Sequence, residues 1–177
     1  ASGVVGHWQE ARCGHERIEQ RAARHPALDQ TCVATQDRMT ALSPMLATVG
    51  SEVPAGADWV FETKYDGIRI LAFVAGSSAR GKVALVSRNG LDKTKQFPEI
   101  VDALRALHTK VKRSFVLDGE IVAMRDGEPL RFQELQGRMH TTDRGAIERH
   151  RSDAPAALCV FDILMDGRKS LVAEPWQ

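Results

Sequence analysis

No stretch of the chain is apolar for long enough to cross a bilayer, and its early residues mix charge, glycine and histidine where an export signal would be apolar. A cytoplasmic protein with no membrane partner is expected. Cysteine is scarce: Cys13, Cys32 and Cys159 are odd in number and widely spaced, which fits free thiols in a reducing compartment better than a disulfide framework. There is no C-x-x-C pair, and Cys13, His15, His25 and Cys32 match no common zinc-finger spacing, so no structural metal is expected. An excess of either charge is also missing. With 24 basic and 23 acidic residues the net charge is +1, which gives no global argument for a polyanionic partner but leaves room for a local basic face. Internal repeats and low-complexity runs are absent.

What remains is a chain of 177 residues with 43% hydrophobic content, enough for one domain with a core. Residues 1–40 are polar and charged, with a short helix conceivable over Glu16 to Ala23 but too few apolar positions to form a face. They read as a tail or interdomain linker, and the start at Ala1 without Met is compatible with a preceding domain or a processed start. From Ala41 the character changes. Leu42, Pro44, Met45 and Leu46 form an apolar lead-in, and a turn containing Gly and Pro follows from Gly50 to Gly56.

Trp59 to Lys64 reads as a strand and Ile68 to Val74 as a second, with Asp66-Gly67 as the turn joining antiparallel neighbours. Val83 to Ser87 is a third strand. Apolar Ile100, Val101, Leu104 and Leu107 recur at helical spacing within Pro98 to Leu107. Phe115 to Ala123 reads as a strand, Phe132 to Met139 and Ala146 to Arg151 as helices, and Ala156 to Leu164 as a buried strand closed by a turn at Asp166-Gly167. Hairpin-joined strands with helices inserted between them predict an α+β fold with mostly antiparallel sheets and flanking helices.

The chemistry concentrates in Glu62-Thr63-Lys64-Tyr65-Asp66-Gly67-Ile68-Arg69, which contains K-x-D-G-x-R. Four specified positions at roughly one in twenty each arise by chance in such a chain only about once in a thousand. A free lysine is neutral in only about one molecule in two thousand at pH 7, so a nucleophilic lysine needs nearby positive charge or desolvation. Arg69 or a bound metal ion is a candidate source of that charge. If the segment is a strand, Glu62 and Lys64 share one face and Thr63 points away. Gly67 would permit a tight turn that brings backbone close to a ligand. The plainer alternative is a charged hairpin with solvated Lys64 and Asp66.

K-x-D-G-x-R resembles the first motif of the covalent nucleotidyltransferases, comprising ATP-dependent DNA ligases, RNA ligases and mRNA capping enzymes. Three further stretches follow in that family's order. Ser87-Arg88-Asn89-Gly90 is similar to its R-x-G element, while also being a type I′ turn signal. Leu117-Asp118-Gly119-Glu120 is similar to its D-G-E motif, with Asp118 and Glu120 two apart on one strand face. Val160-Phe161-Asp162-Ile163-Leu164 is similar to the next motif, although an isolated phenylalanine is more often core. Ser43-Pro44-Met45-Leu46-Ala47 and Phe132-Gln133-Glu134-Leu135-Gln136 resemble the ligase domain of bacterial end-joining ligase D.

The resemblance implies the covalent nucleotidyltransferase fold over residues 41–177, with ATP and Mg²⁺ or Mn²⁺ as cofactors. It implies that Lys64 attacks the α-phosphate of ATP and carries AMP covalently. It assigns Glu62, Thr63 and Arg69 to the nucleotide site, Arg88 to the ribose or to the 5′-phosphate at a nick, Glu120 to the ribose hydroxyl or the catalytic metal, and Phe161 to stacking on the purine. Partners would be nicked or broken double-stranded DNA and end-joining proteins that bind DNA ends, in repair and recombination. The family's fourth and fifth motifs and its OB-fold domain with the sixth have no counterpart in residues 1–177, so an incomplete adenylation domain, inactive in ligation alone, is expected. RNA ligation, GTP-dependent capping, and non-catalytic binding of nucleotide or DNA are the alternatives.

Overall fold

The computed structural model describes residues 42–45, 61–76 and 81–175. The expected tail over 1–40, the helix over 16–23, the cysteines and histidines of 13–32, the turn over 50–56 and the front of the Trp59 to Lys64 strand lie outside them. Strands β1 (Ile68–Ala75) and β2 (Lys82–Ser87) come first, followed by a 3₁₀ turn at Thr94–Gln96 and helix α1 (Pro98–Val111). Strand β3 (Phe115–Arg125), the short β4 (Glu128–Pro129), helices α2 (Gln133–Met139) and α3 (Arg144–Asp153), and strands β5 (Ala156–Asp166) and β6 (Lys169–Ser170) complete the order. The strands form one sheet in the order β2-β1-β3-β5-β6, with β4 paired to β3. Every pairing is antiparallel, as the alternation of strands and turns predicts.

Side chains alternate across the sheet, so β1 has two different faces. Ile68, Ile70, Ala72 and Val74 join Phe115, Leu117, Ile121 and Ala123 in the main core, closed over by Ile100, Val101 and Leu104 of α1 and Leu135 of α2. Each Ile, Val or Leu side chain of this set contributes about 1.5–3 kcal/mol when fully buried. On the other face Leu71 and Val116 meet Leu164 and Met165 in a smaller cluster, against which Leu42 packs. Arg69, two positions before Leu71, and Asp118 and Glu120, two and four after Val116, share that second face.

Three expectations need correction. Phe61 to Lys64 has no regular secondary structure, and Asp66-Gly67 joins no hairpin. The reason is topological: β2 occupies one edge of β1 and β3 the other, leaving no edge for a preceding strand. Helix α1 runs on to Val111, and its fourth buried position is His108, hydrogen-bonded at 2.9 Å to the Gly76 carbonyl, while Leu107 is exposed. Strand β5 is not buried throughout, since Val160 and Ile163 remain 48% and 39% exposed. The sequence reading also missed the β3–β4 hairpin. Its signal is Asp126-Gly127, where both residues have positive φ, 53° and 85°, as a type I′ turn requires.

Candidate active site

A cleft of about 550 Å³ opens where β1 begins and β2 ends. The Arg88 N–H donates to the Arg69 carbonyl at 3.2 Å, which holds the Ser87-Arg88-Asn89-Gly90 turn beside the start of β1. In that turn Gly90 has φ 74° whereas Asn89 stays out of the positive region, so it is not the type I′ turn that Asn-Gly predicts. The Ser87 hydroxyl accepts the Leu91 N–H at 3.1 Å and closes the loop from inside.

Of the residues singled out in the sequence, Thr63, Lys64, Arg69, Arg88, Glu120 and Phe161 all line this cleft. Glu62 does not; it is half-buried outside the lining, and with no strand at this point the shared face expected of Glu62 and Lys64 does not exist. The Lys64 segment is set against the sheet by its two neighbours in the motif. Asp66 accepts the Phe132 N–H at 3.2 Å, tying the segment to the start of α2. Gly67 lies so close to β3 that a Cβ there would sit 2.0 Å from the Ile121 carbonyl oxygen. Glycine is therefore required by the strand contact, and its backbone also lines the cleft.

Arg69 meets Asp118 through two charge-assisted hydrogen bonds, Nε to Oδ1 at 2.6 Å and Nη2 to Oδ2 at 2.8 Å. Its charge is thereby shared with Asp118 while Arg69 still lines the cleft beside Lys64 and Glu120. Asp118 shares the face of Glu120 as expected, but it serves Arg69 and does not line the cleft. The other side of the Arg69 guanidinium lies over the Phe161 ring, 4.2 Å from its centroid. Phe161 reaches this place through an irregularity in β5: Asp118 pairs with Asp162 and Gly119 with Val160, so Phe161 is the extra residue of a bulge. Bulges turn side chains out of the regular alternation, and here one delivers an aromatic ring to the cleft. Gly119 permits the strands to close at this point, because a Cβ there would sit 2.6 Å from the Cys159 carbonyl oxygen.

Burial pushes the Glu120 carboxyl up to about 7, against the opposing pull of the Arg69 and Lys64 charges and a backbone hydrogen bond at Gly67. Opposite it in the register, burial also raises the Cys159 thiol, partly countered by a hydrogen bond with the Tyr65 side chain. Among the described residues, no group of three His, Cys, Asp or Glu is assembled that would enclose a metal ion. Mg²⁺ is usually held by one or two carboxylates with water and phosphate oxygens filling the remaining positions. Glu120 fits that pattern as one carboxylate ligand.

Sequence reasoning missed the far wall, made of Phe132, Met139 and His140 from α2 and its end, together with Met45 and Lys93. The helical period of α2 was legible, but not that its end borders the cleft. Lys93 follows the Arg88 turn by five positions and carries no motif signal. Among the described residues, the lining has four cationic side chains, Lys64, Arg69, Arg88 and Lys93, and one carboxylate, that of Glu120. A lining of this kind would suit an anion with an aromatic or apolar portion.

Comparison with known proteins agrees with that chemistry. The model of the ATP dependent DNA ligase domain matches residues 41–177. DNA ligase C1 of Mycolicibacterium smegmatis is 38% identical over 140 residues, covering 77% of this chain and 38% of its own length. DNA ligase C of Mycobacterium tuberculosis is 34% identical over 138 residues, with 78% and 36% covered. Among solved structures, a mycobacterial DNA ligase D in complex with ATP and MES superposes with a TM-score of 0.54 at 34% identity, over 75% of this chain and 38% of that one. The chain thus spans less than half the length of these relatives. No helix among the described residues is long and apolar enough to cross a membrane. Because the family model covers most of the chain and includes every segment that builds the cleft, the protein belongs to the ATP-dependent DNA ligase domain family.

Proposed function

We propose that the cleft binds ATP and that Lys64 becomes adenylylated, as the first step in sealing breaks in double-stranded DNA. The observation that carries this reading is convergence. Lys64, Arg88, Glu120 and Phe161 come from four segments far apart in sequence and line one basic cleft. The similar mycobacterial ligase D was solved with ATP, which supports the choice of nucleotide.

In this mechanism the neutral Lys64 amine attacks the α-phosphorus, the bond to the bridging oxygen of the β-phosphate breaks, and pyrophosphate leaves with its electron pair. The amine loses a proton and a phosphoramidate to AMP remains. Phe161 offers one face of its ring to the purine, with Arg69 over the other. Thr63 and Arg88 border the sugar and phosphates. Glu120 holds either the ribose hydroxyl or a divalent ion, Mg²⁺ or Mn²⁺, whose contribution would be to offset charge on the phosphates. AMP then passes to the 5′-phosphate of a nick, and the 3′-hydroxyl displaces it to join the strands. The ligase D relative of Bacillus subtilis, a bifunctional non-homologous end joining protein, supports a role in repair and recombination with end-binding partners.

The test is covalent labelling. Incubated with [α-³²P]ATP and Mg²⁺, the protein is expected to carry an acid-labile adduct that peptide mapping assigns to Lys64 and that Lys64→Ala abolishes. Label that persists in Lys64→Ala, or that comes from GTP in place of ATP, overturns the reading.

A further inference from the structure

We propose that Lys93 is an additional contact for a phosphate group in the cleft, an inference that rests on the nucleotide-site reading above. Lys93 is 6% exposed, yet it borders the cleft. Lysine is almost never this buried unless it is paired. Its Nζ donates to the Met139 carbonyl at 2.9 Å, and among the described residues no carboxylate lies within ion-pair distance of it.

An ammonium has three donors, and one neutral carbonyl satisfies one of them. Burying a charge with so little compensation is unfavourable, and such groups collect where a ligand supplies the missing countercharge. The position of Lys93 is well determined. Its backbone N–H donates to the Leu85 carbonyl at 2.8 Å, and the next residue, Thr94, accepts the Leu85 N–H at 2.9 Å through its hydroxyl. Met139 ends α2, where carbonyls lack helical partners and carry the negative end of the helix dipole. That carbonyl anchors the ammonium without neutralising it. A fixed, largely buried ammonium, beside a cleft whose described lining holds one carboxylate, suits phosphate oxyanions. Two sources offer them: the polyphosphate of the nucleotide and the 5′-phosphate of a DNA end.

The rival role is purely structural, with Lys93 serving as a cap on α2. Titration calorimetry on the wild type, Lys93→Gln and Lys93→Met separates the two. Gln retains a donor for Met139, so the fold is preserved even if Met proves too disruptive. The ligands are ATP, adenosine, and nicked duplexes carrying either a 5′-phosphate or a 5′-hydroxyl. For a nucleotide phosphate, Lys93→Gln is expected to weaken ATP roughly ten- to hundredfold with adenosine unchanged. For a DNA phosphate, the same loss appears with the 5′-phosphate duplex and not with the 5′-hydroxyl duplex. Equal losses for charged and uncharged ligands, or no loss for any, overturn the inference and leave Lys93 as a helix cap. A wild type that binds neither ATP nor duplex overturns the proposed function, and this inference with it.

Discussion

Arg69 and Asp118 form a two-pronged ion pair between adjacent strands, with side chains 15% and 3% exposed, and the guanidinium so held braces the ring of Phe161. The pair joins the start of β1 to the middle of β3, so the first and third sequence motifs are mechanically one unit. Because both groups are largely desolvated, removing either one takes away the paired charge that offsets the burial of the other.

Asp118→Ala is therefore expected to destabilise the protein by about 3–5 kcal/mol. Chemical denaturation measures this, and a double-mutant cycle with Arg69→Met should recover much of the loss. A cost below about 1 kcal/mol, typical of exposed pairs, would contradict the buried pair.

Glu120 makes stability depend on pH in a definite direction. Burial raises its folded-state value to about 7 from an ordinary 4.5, so the folded protein holds this proton more tightly than the unfolded chain does. The site imposes no penalty below pH 4.5. The penalty grows as pH rises and is complete above about 7. Glu120→Gln cannot ionise, so its melting temperature should match wild type near pH 4.5 and exceed it increasingly up to about pH 7. A difference that shrinks with rising pH would reverse the sign and refute the assignment. For the same reason, divalent-ion binding at Glu120 should strengthen through pH 7 and release a proton.

Gly67→Ala places a methyl group 2.0 Å from a backbone carbonyl of β3, where no flexible side chain can move aside. Overpacking of this kind costs about 1–3 kcal/mol. Lys64, three residues earlier, should shift with the displaced backbone, so covalent labelling should fall at least as sharply as stability. Melting and labelling curves measured on the same preparation test both, and an unchanged melting temperature would show that the approach to Ile121 is not tight.

Much of the fold was readable from residue pattern because its causes are local. Alternating Ile68, Ile70, Ala72 and Val74 make a strand, and Ile100, Val101 and Leu104 make a helix face, whatever lies around them. The chemistry of K-x-D-G-x-R, R-N-G and D-G-E was likewise legible, since nucleophile, cation and carboxylate are residue types. The segment Phe61 to Lys64 misled because strand formation needs an open edge, and only the topology reveals that both edges of β1 are taken.

Three properties of the cleft were decided by tertiary structure alone. Phe161 lies at the cleft because β5 bulges against β3, a shift of register between distant strands that no local spacing encodes. Asp118 and Glu120 are alternate residues on one face of one strand, yet one binds Arg69 and the other is pushed up to about 7, because charge and burial depend on what packs opposite. Lys93 is buried with its Nζ on the Met139 carbonyl at the end of α2, a contact between residues 46 positions apart in sequence. The sequence by itself determined which chemistry was present and which elements would carry it. The folded chain decided which of those groups meet, since desolvation and ion pairing act between residues that are neighbours only in space.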